Sequence, residues 1–152
     1  MPEVNSAQAQ KMANRKKLMP AESHGRQRVL VATLTDGHPA YPVGTTILLG
    51  HVPVNSRFLA GAKISVAGGG TASSTLAIGI RKLVTQEVID AEGLAVAAAL
   101  SAAATVAADT GALIAGAADY ITPVDVEVFA TVKGAELAAG QRLRVEVPYV
   151  TD

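Results

Sequence analysis

The strongest constraint on this chain lies in its last third. In Asp125–Lys133 (DVEVFATVK), Val126, Val128, Ala130 and Val132 fall on every second position. In Gln141–Val150 (QRLRVEVPYV), Leu143, Val145, Val147 and Tyr149 do the same, against Arg142, Arg144 and Glu146. A period of two places each apolar set on one face of a strand, whereas a helix would scatter it. The two segments read as a hairpin around the loop Gly134–Gly140, with one buried and one wet face. Pro148 has no N–H for a ladder and marks an edge or an end. Glu127, Arg142, Arg144 and Glu146 then read as a cross-strand charge set on the wet face, where such pairs contribute roughly 0.2–1 kcal/mol each.

The same texture runs back to residue 26. Arg28–Thr35, Gly44–Val52, Asn55–Val66 and Ser74–Arg81 are rich in Val, Leu and Ile and end at Gly, Pro or Asp turns. In Asn55–Val66 the residues Phe58, Ala60, Ala62, Ile64 and Val66 share a face, and in Ser74–Arg81 Leu76, Ile78 and Ile80 point inward with Thr75 and Arg81 outward. Asp90–Asp119 is alanine-rich, which favours helix, but no charge lies between Glu92 and Asp109 to solvate one face. It reads as short strands and turns covered by the sheet or by a neighbouring subunit, with a helix at Leu94–Ala103 as the alternative. Short strands about 10 residues apart indicate an all-β body, a single sandwich or a barrel. Its expected core is Leu76, Ile78, Ile80, Val126, Val128, Val132, Leu143, Val145 and Val147.

The 152 residues suffice for one domain. Aromatic residues make up only 3% of them, so there is little material for a small-molecule pocket. No cysteine is present, which excludes disulfides and thiolate metal sites. No apolar run approaches the ~18 residues of a membrane span, and the first residues lack the apolar core of a secretory signal. His24, His38 and His51 have no second ligand at metal spacing, and the glycines at 68–70 precede a strand, so they read as a turn and not as a phosphate cradle. Neither a metal nor a cofactor is expected, and no enzyme activity. Asp109-Thr110-Gly111 matches the short signature of retropepsin-like aspartic proteases, in which two such carboxylates share a proton. Only about 40 residues follow it, too few for the flap and later strand those enzymes need. The triplet reads instead as a turn.

Charge is distributed unevenly. The chain carries 13 basic and 13 acidic side chains, so as a whole it has no electrostatic hold on nucleic acid. Yet residues 1–28 contain six bases (Lys11, Arg15, Lys16, Lys17, Arg26 and Arg28) against Glu3 and Glu22, a net of +4 that leaves −4 on the rest. We therefore divide the chain into a basic N-terminal arm, 1–25, with a short helix around Ala7–Leu18, and a body, 26–152. The six bases are the candidate docking residues. Basic residues without interleaved aromatics do not suggest single-stranded nucleic acid.

From Gly25 onward, GRQRVLVATL, PVGTTILLGHVPVNSRFLAGAKISV, SSTLAIGI and VDVEVFATVKGAELAAGQRLRVEVPYV resemble a family of small phage virion proteins, described as head decoration, cement or head-fibre components. The resemblance spans about 125 of the 152 residues and departs from the family pattern between Lys82 and Asp119. It implies a β-sandwich or jelly-roll-like body, often a homotrimer, on the outer surface of the head, with the major capsid protein as partner. A head-fibre base or a neck or tail component is the alternative role.

Overall fold

The computed structural model describes residues 11, 13–17, 25–34, 37–68 and 70–151. Nine strands follow one another: β1 (Arg26–Thr33), β2 (Thr46–Val52), β3 (Arg57–Phe58), β4 (Lys63–Val66), β5 (Thr75–Lys82), β6 (Val88–Ala99), β7 (Ala104–Ala107), β8 (Val126–Lys133) and β9 (Leu143–Thr151). They form two antiparallel sheets, ordered β1-β9-β4-β7 (with β3 also on β9) and β2-β8-β5-β6. Apart from the β5–β6 hairpin, and the short β3 that precedes β4 in the same sheet, successive strands change sheet. This is the connectivity of a jelly roll. All nine core residues expected from the alternation are buried, and Val52, Phe58, Ile64, Leu94 and Leu100 join them.

The expected C-terminal hairpin is not there. β8 pairs with β2 and β5, while β9 pairs with β1 and β4 in the opposite sheet. Alternation specifies which face of a strand is apolar, but not which strand lies beside it. Residues 134–142 cross the ~10 Å between sheets. Leu137, fully buried, plugs this end of the sandwich and exchanges backbone hydrogen bonds with Tyr41.

The expected wet face of β8 is covered as well, with Glu127 and Phe129 both buried on it. Arg81 provides the cover: its guanidinium lies 5.1 Å above the Phe129 ring, and its Nε donates to Glu127 Oε2 at 2.7 Å. The expected four-charge set is therefore split. Arg144 and Lys63 pair with Glu146 in the other sheet. The Arg81 hydrogen bond lowers the Glu127 pKa below its ordinary 4.5, opposed by burial and aided by Gln86 and the charges of Arg81 and His51. A lowered carboxyl value stabilises the fold above the unfolded value and is lost as pH falls through the folded one. The stability that Glu127 contributes should thus begin to be lost, and the wild-type melting temperature to fall, below about pH 4.5. Glu127→Gln should start lower at pH 7 and fall less, as followed by thermal melts from pH 7 to pH 3.

The alanine-rich stretch is strand and turn, as expected, and not the alternative helix at Leu94–Ala103, but its first strand is long rather than short. It forms the longest strand, β6, and then the short β7. The open edge of β5 supplies partners, and burial of Leu94, Ala95 and Ala98 outweighs alanine's helix preference. β6 is not regular. From Ile78 to Ile80, β5 advances two residues, while its partner runs five, from Ala95 to Asp90. The three extra residues arch over Gly79, where a β-carbon would meet the Asp90 and Ala91 backbone at less than 3.0 Å. The expected single strand Asn55–Val66 is likewise divided into β3 and β4, with Gly61 at φ 103° between them and Ala60 exposed.

Candidate assembly surface

One end of the sandwich is defined by the starts of β1, β6 and β8 and the ends of β2, β5 and β9. The arm enters here, since Arg26 lies opposite Thr151 and Arg28 opposite Tyr149. Arg28, Pro53, Val54, Asn55, Tyr149 and Thr151 line an open groove at its root. Beside it, sharing Val54, a second groove is lined by Val54, Lys82, Val84, Pro123 and Val124. Val84 is 90% exposed, and Val54 and Val124 are 40% and 38% exposed. Three exposed valines in neighbouring turns form an apolar rim around the arm's root.

The candidate bases separate into two environments. Arg26 and Arg28 are exposed on β1, and Arg15, Lys16 and Lys17 are exposed in the arm. Lys11 is half-buried, and its carbonyl accepts the Lys16 N–H at 2.8 Å. Of the helix expected around Ala7–Leu18, Lys11 and Ala13 are helical, and residues 1–10, 12 and 18 lie outside the described residues. Among the described residues, Arg15, Lys16, Lys17, Arg26 and Arg28 enter no ion pair. The body behaves otherwise: Arg57, Lys63, Arg81, Lys82, Lys133 and Arg144 each pair with a carboxylate. These six bases of the body are thus matched locally by carboxylates, while Arg26 and Arg28 at the arm's root remain available to an outside anion.

The residues weighed for chemistry serve the fold. Asp109 Oδ2 accepts the Gly61 N–H at 2.8 Å, Thr110 Oγ1 accepts the Val96 N–H at 3.1 Å, and the Gly111 N–H donates to the Leu94 carbonyl at 3.0 Å. The Asp-Thr-Gly turn thereby clamps the β6 arch to the opposite sheet. His38, in a turn as expected, is buried, stacks on Tyr41 at 5.2 Å and places Nε2 2.7 Å from the Gln141 carbonyl. His51, expected to be partly buried, is exposed, with Nε2 3.6 Å from Glu127 Oε1. His24 lies outside the described residues. Among the described residues no group of three His, Asp or Glu side chains could hold a metal, and no helix is long and apolar enough to cross a membrane.

Sequence reading located the arm's bases but not Val54, Val84 and Val124. Their signal is an apolar residue inside a turn, in PVN, LVT and PVD, where solvent normally selects polar side chains.

No protein-family profile and no curated protein matches the sequence. Among solved structures, a chain in the capsid of Ralstonia phage GP4 is similar at 18% identity, with a TM-score of 0.59, over 90% of this chain and 92% of that one. Chains in the acid-stable capsid of Helicobacter pylori bacteriophage KHP30 (16% identity, TM-score 0.46, 84% of this chain and 89% of that one) and in the cyanophage Pam1 capsid asymmetric unit (16%, 0.47, all of both chains) are also similar.

Proposed function

We propose that this chain is a structural virion protein, a decoration or cement protein that binds the outer surface of a phage head through its arm-bearing end. The observation that carries the reading is the meeting of exposed valines with Arg26 and Arg28, exposed and in no ion pair, at one end of a body in which Arg57, Lys63, Arg81, Lys82, Lys133 and Arg144 each pair with a carboxylate. A surface of this kind suits a partner that is both acidic and partly apolar, as a protein seam is. The fold it shares with a chain in a phage capsid, at similar length, supports the same role. The partner is then the major capsid protein. A protein that binds only the assembled shell stabilises it by mass action, and a basic arm laid along a groove covers more area than the body's end alone. No step in this role needs a catalytic group, a metal or a cofactor.

The test is a cryo-EM map of heads assembled with the chain. We expect density for the jelly roll over the whole outer surface, with the Arg26–Val84 end against the shell. Density confined to the neck, the tail or a fibre base would assign the chain there and overturn the cement reading.

A further inference from the structure

We infer that β1 is a self-pairing edge, through which two copies of this chain join into one continuous sheet across a two-fold axis at Leu30. The inference goes beyond head binding and does not depend on it.

Five strands have an open edge, and four of them are short or blunted: β3 has only two residues. β2 contains a register shift between Leu48 and Gly50, β6 contains three, and β7 has only four residues. Such devices are how sheet proteins prevent stray edge pairing. β1 has none. Its eight pairs with β9 run without a break from Arg26–Thr151 to Thr33–Arg144, and it contains no proline. Six of its eight residues are exposed, all but Leu30 and Ala32.

The hydrogen-bond alternation shows which groups face outward. The Leu34 N–H donates to the Leu143 carbonyl, which continues the β1–β9 register. In an antiparallel pair, bonded and non-bonded positions alternate. Residues 32, 30, 28 and 26 are therefore the bonded positions, and the N–H and C=O groups of Gln27, Val29, Val31 and Thr33 point away from β9. Among the described residues no strand takes them up. The same four side chains lie on the sheet's outer face, with Val29 52% and Val31 55% exposed.

Those four residues are complementary to themselves. A second β1, antiparallel about Leu30, sets Gln27 opposite Thr33 and Val29 opposite Val31. Every outward group then has a partner, for about eight backbone hydrogen bonds, one donated by each of the four residues in each copy. Polar meets polar and valine meets valine, and the cross-strand valine pairs cover the most exposed apolar side chains of the edge. Arg28 falls opposite Ala32, and Arg26 opposite Leu34, so the cations avoid one another. A slip of one pair in either direction sets Val31 or Val29 against its own twin and leaves the other valine opposite Thr33 or Gln27. The two-fold contact closes a dimer when it acts alone and joins neighbouring trimers beside a three-fold contact. In either case the two arm-bearing ends lie at opposite extremities, where one dimer can engage two anchoring points.

The native chain has no cysteine, so introduced thiols report cleanly. Val29→Cys and Val31→Cys chains, carrying different tags and mixed in a redox buffer, should form a mixed disulfide roughly tenfold faster than either variant alone forms a homodimer. Directly opposed residues lie ~5.5 Å apart at Cα, whereas a residue and its own twin are diagonal neighbours at the ~7 Å limit or beyond. Thr33→Pro in both chains removes an outward N–H and no bond to β9, and should return cross-linking to the single-variant rate with an unchanged urea midpoint. If Thr33→Pro lowers that midpoint, Gln27→Pro removes the matching group at the other end. Equal rates for mixed and single variants, or a mixed rate insensitive to the proline in a folded chain, would overturn the inference.

Discussion

Gly79→Ala is expected to cost about 3 kcal/mol or more of folding stability, among the largest effects of any single-methyl addition in this chain. The reason is local and steric. The β6 arch passes directly over Gly79, and a β-carbon there would overlap the Asp90 carbonyl and the Ala91 backbone. Backbone cannot rotate aside as a side-chain tip can. The arch is also held from the other side, where a β-carbon on Gly111 would overlap Gly93 and Glu92 and where Gly111 and Leu113 donate to the Leu94 and Gly93 carbonyls. Relief would require breaking those bonds, which also anchor the Asp-Thr-Gly turn. Gly68→Ala is the control, since its β-carbon would find only Ala103 at an ordinary 3.9 Å. Urea denaturation of the two variants checks the contrast. A Gly79→Ala midpoint within about 1 kcal/mol of wild type would show that the arch is free to lift.

The arch also shows where the sequence stops being informative. Period-two alternation marked the strands and all nine expected core residues, because burial on one face leaves a direct trace in residue type. Pairing leaves no such trace. β8 and β9 are both strongly alternating, and nothing in either string tells that they belong to opposite sheets. Glu127 was legible as charged and on a strand, but its burial depends on Arg81, 46 residues away in the chain. β6 could not be told from a helix, since alanine suits both and the deciding partner is the edge of β5. Of the candidate surface, the bases were legible as a charge asymmetry. The lack of ion pairs at Arg26 and Arg28, and the valines beside them, required the fold, which brings turns at 53–55, 83–85 and 123–125 to the arm's root.

Removal of residues 1–25 should abolish head binding while leaving the body folded. The two halves of this expectation have different grounds. Among the described residues every core residue lies at or beyond Leu30, and β1 begins at Arg26, so the deletion leaves all nine strands and the described core in place. It does remove Lys11, Arg15, Lys16 and Lys17, four of the six candidate docking bases. Arg26 and Arg28 and the valine rim remain, and any contact they keep should be too weak to hold the shortened chain on the head. The loss is expected to be at least ~100-fold in affinity, or about 2.8 kcal/mol. Binding by the intact chain should weaken with added salt, because exposed charges are screened over ~10 Å at 0.1 M.

The decisive measurement is co-sedimentation of intact chain and chain 26–152 with expanded heads built from the accompanying major capsid protein, at equal concentrations and low salt. Attachment by the arm predicts saturable pelleting of the intact chain and none of the shortened one, with both melting at the same temperature. Saturation of the heads by chain 26–152 at unchanged affinity would contradict it.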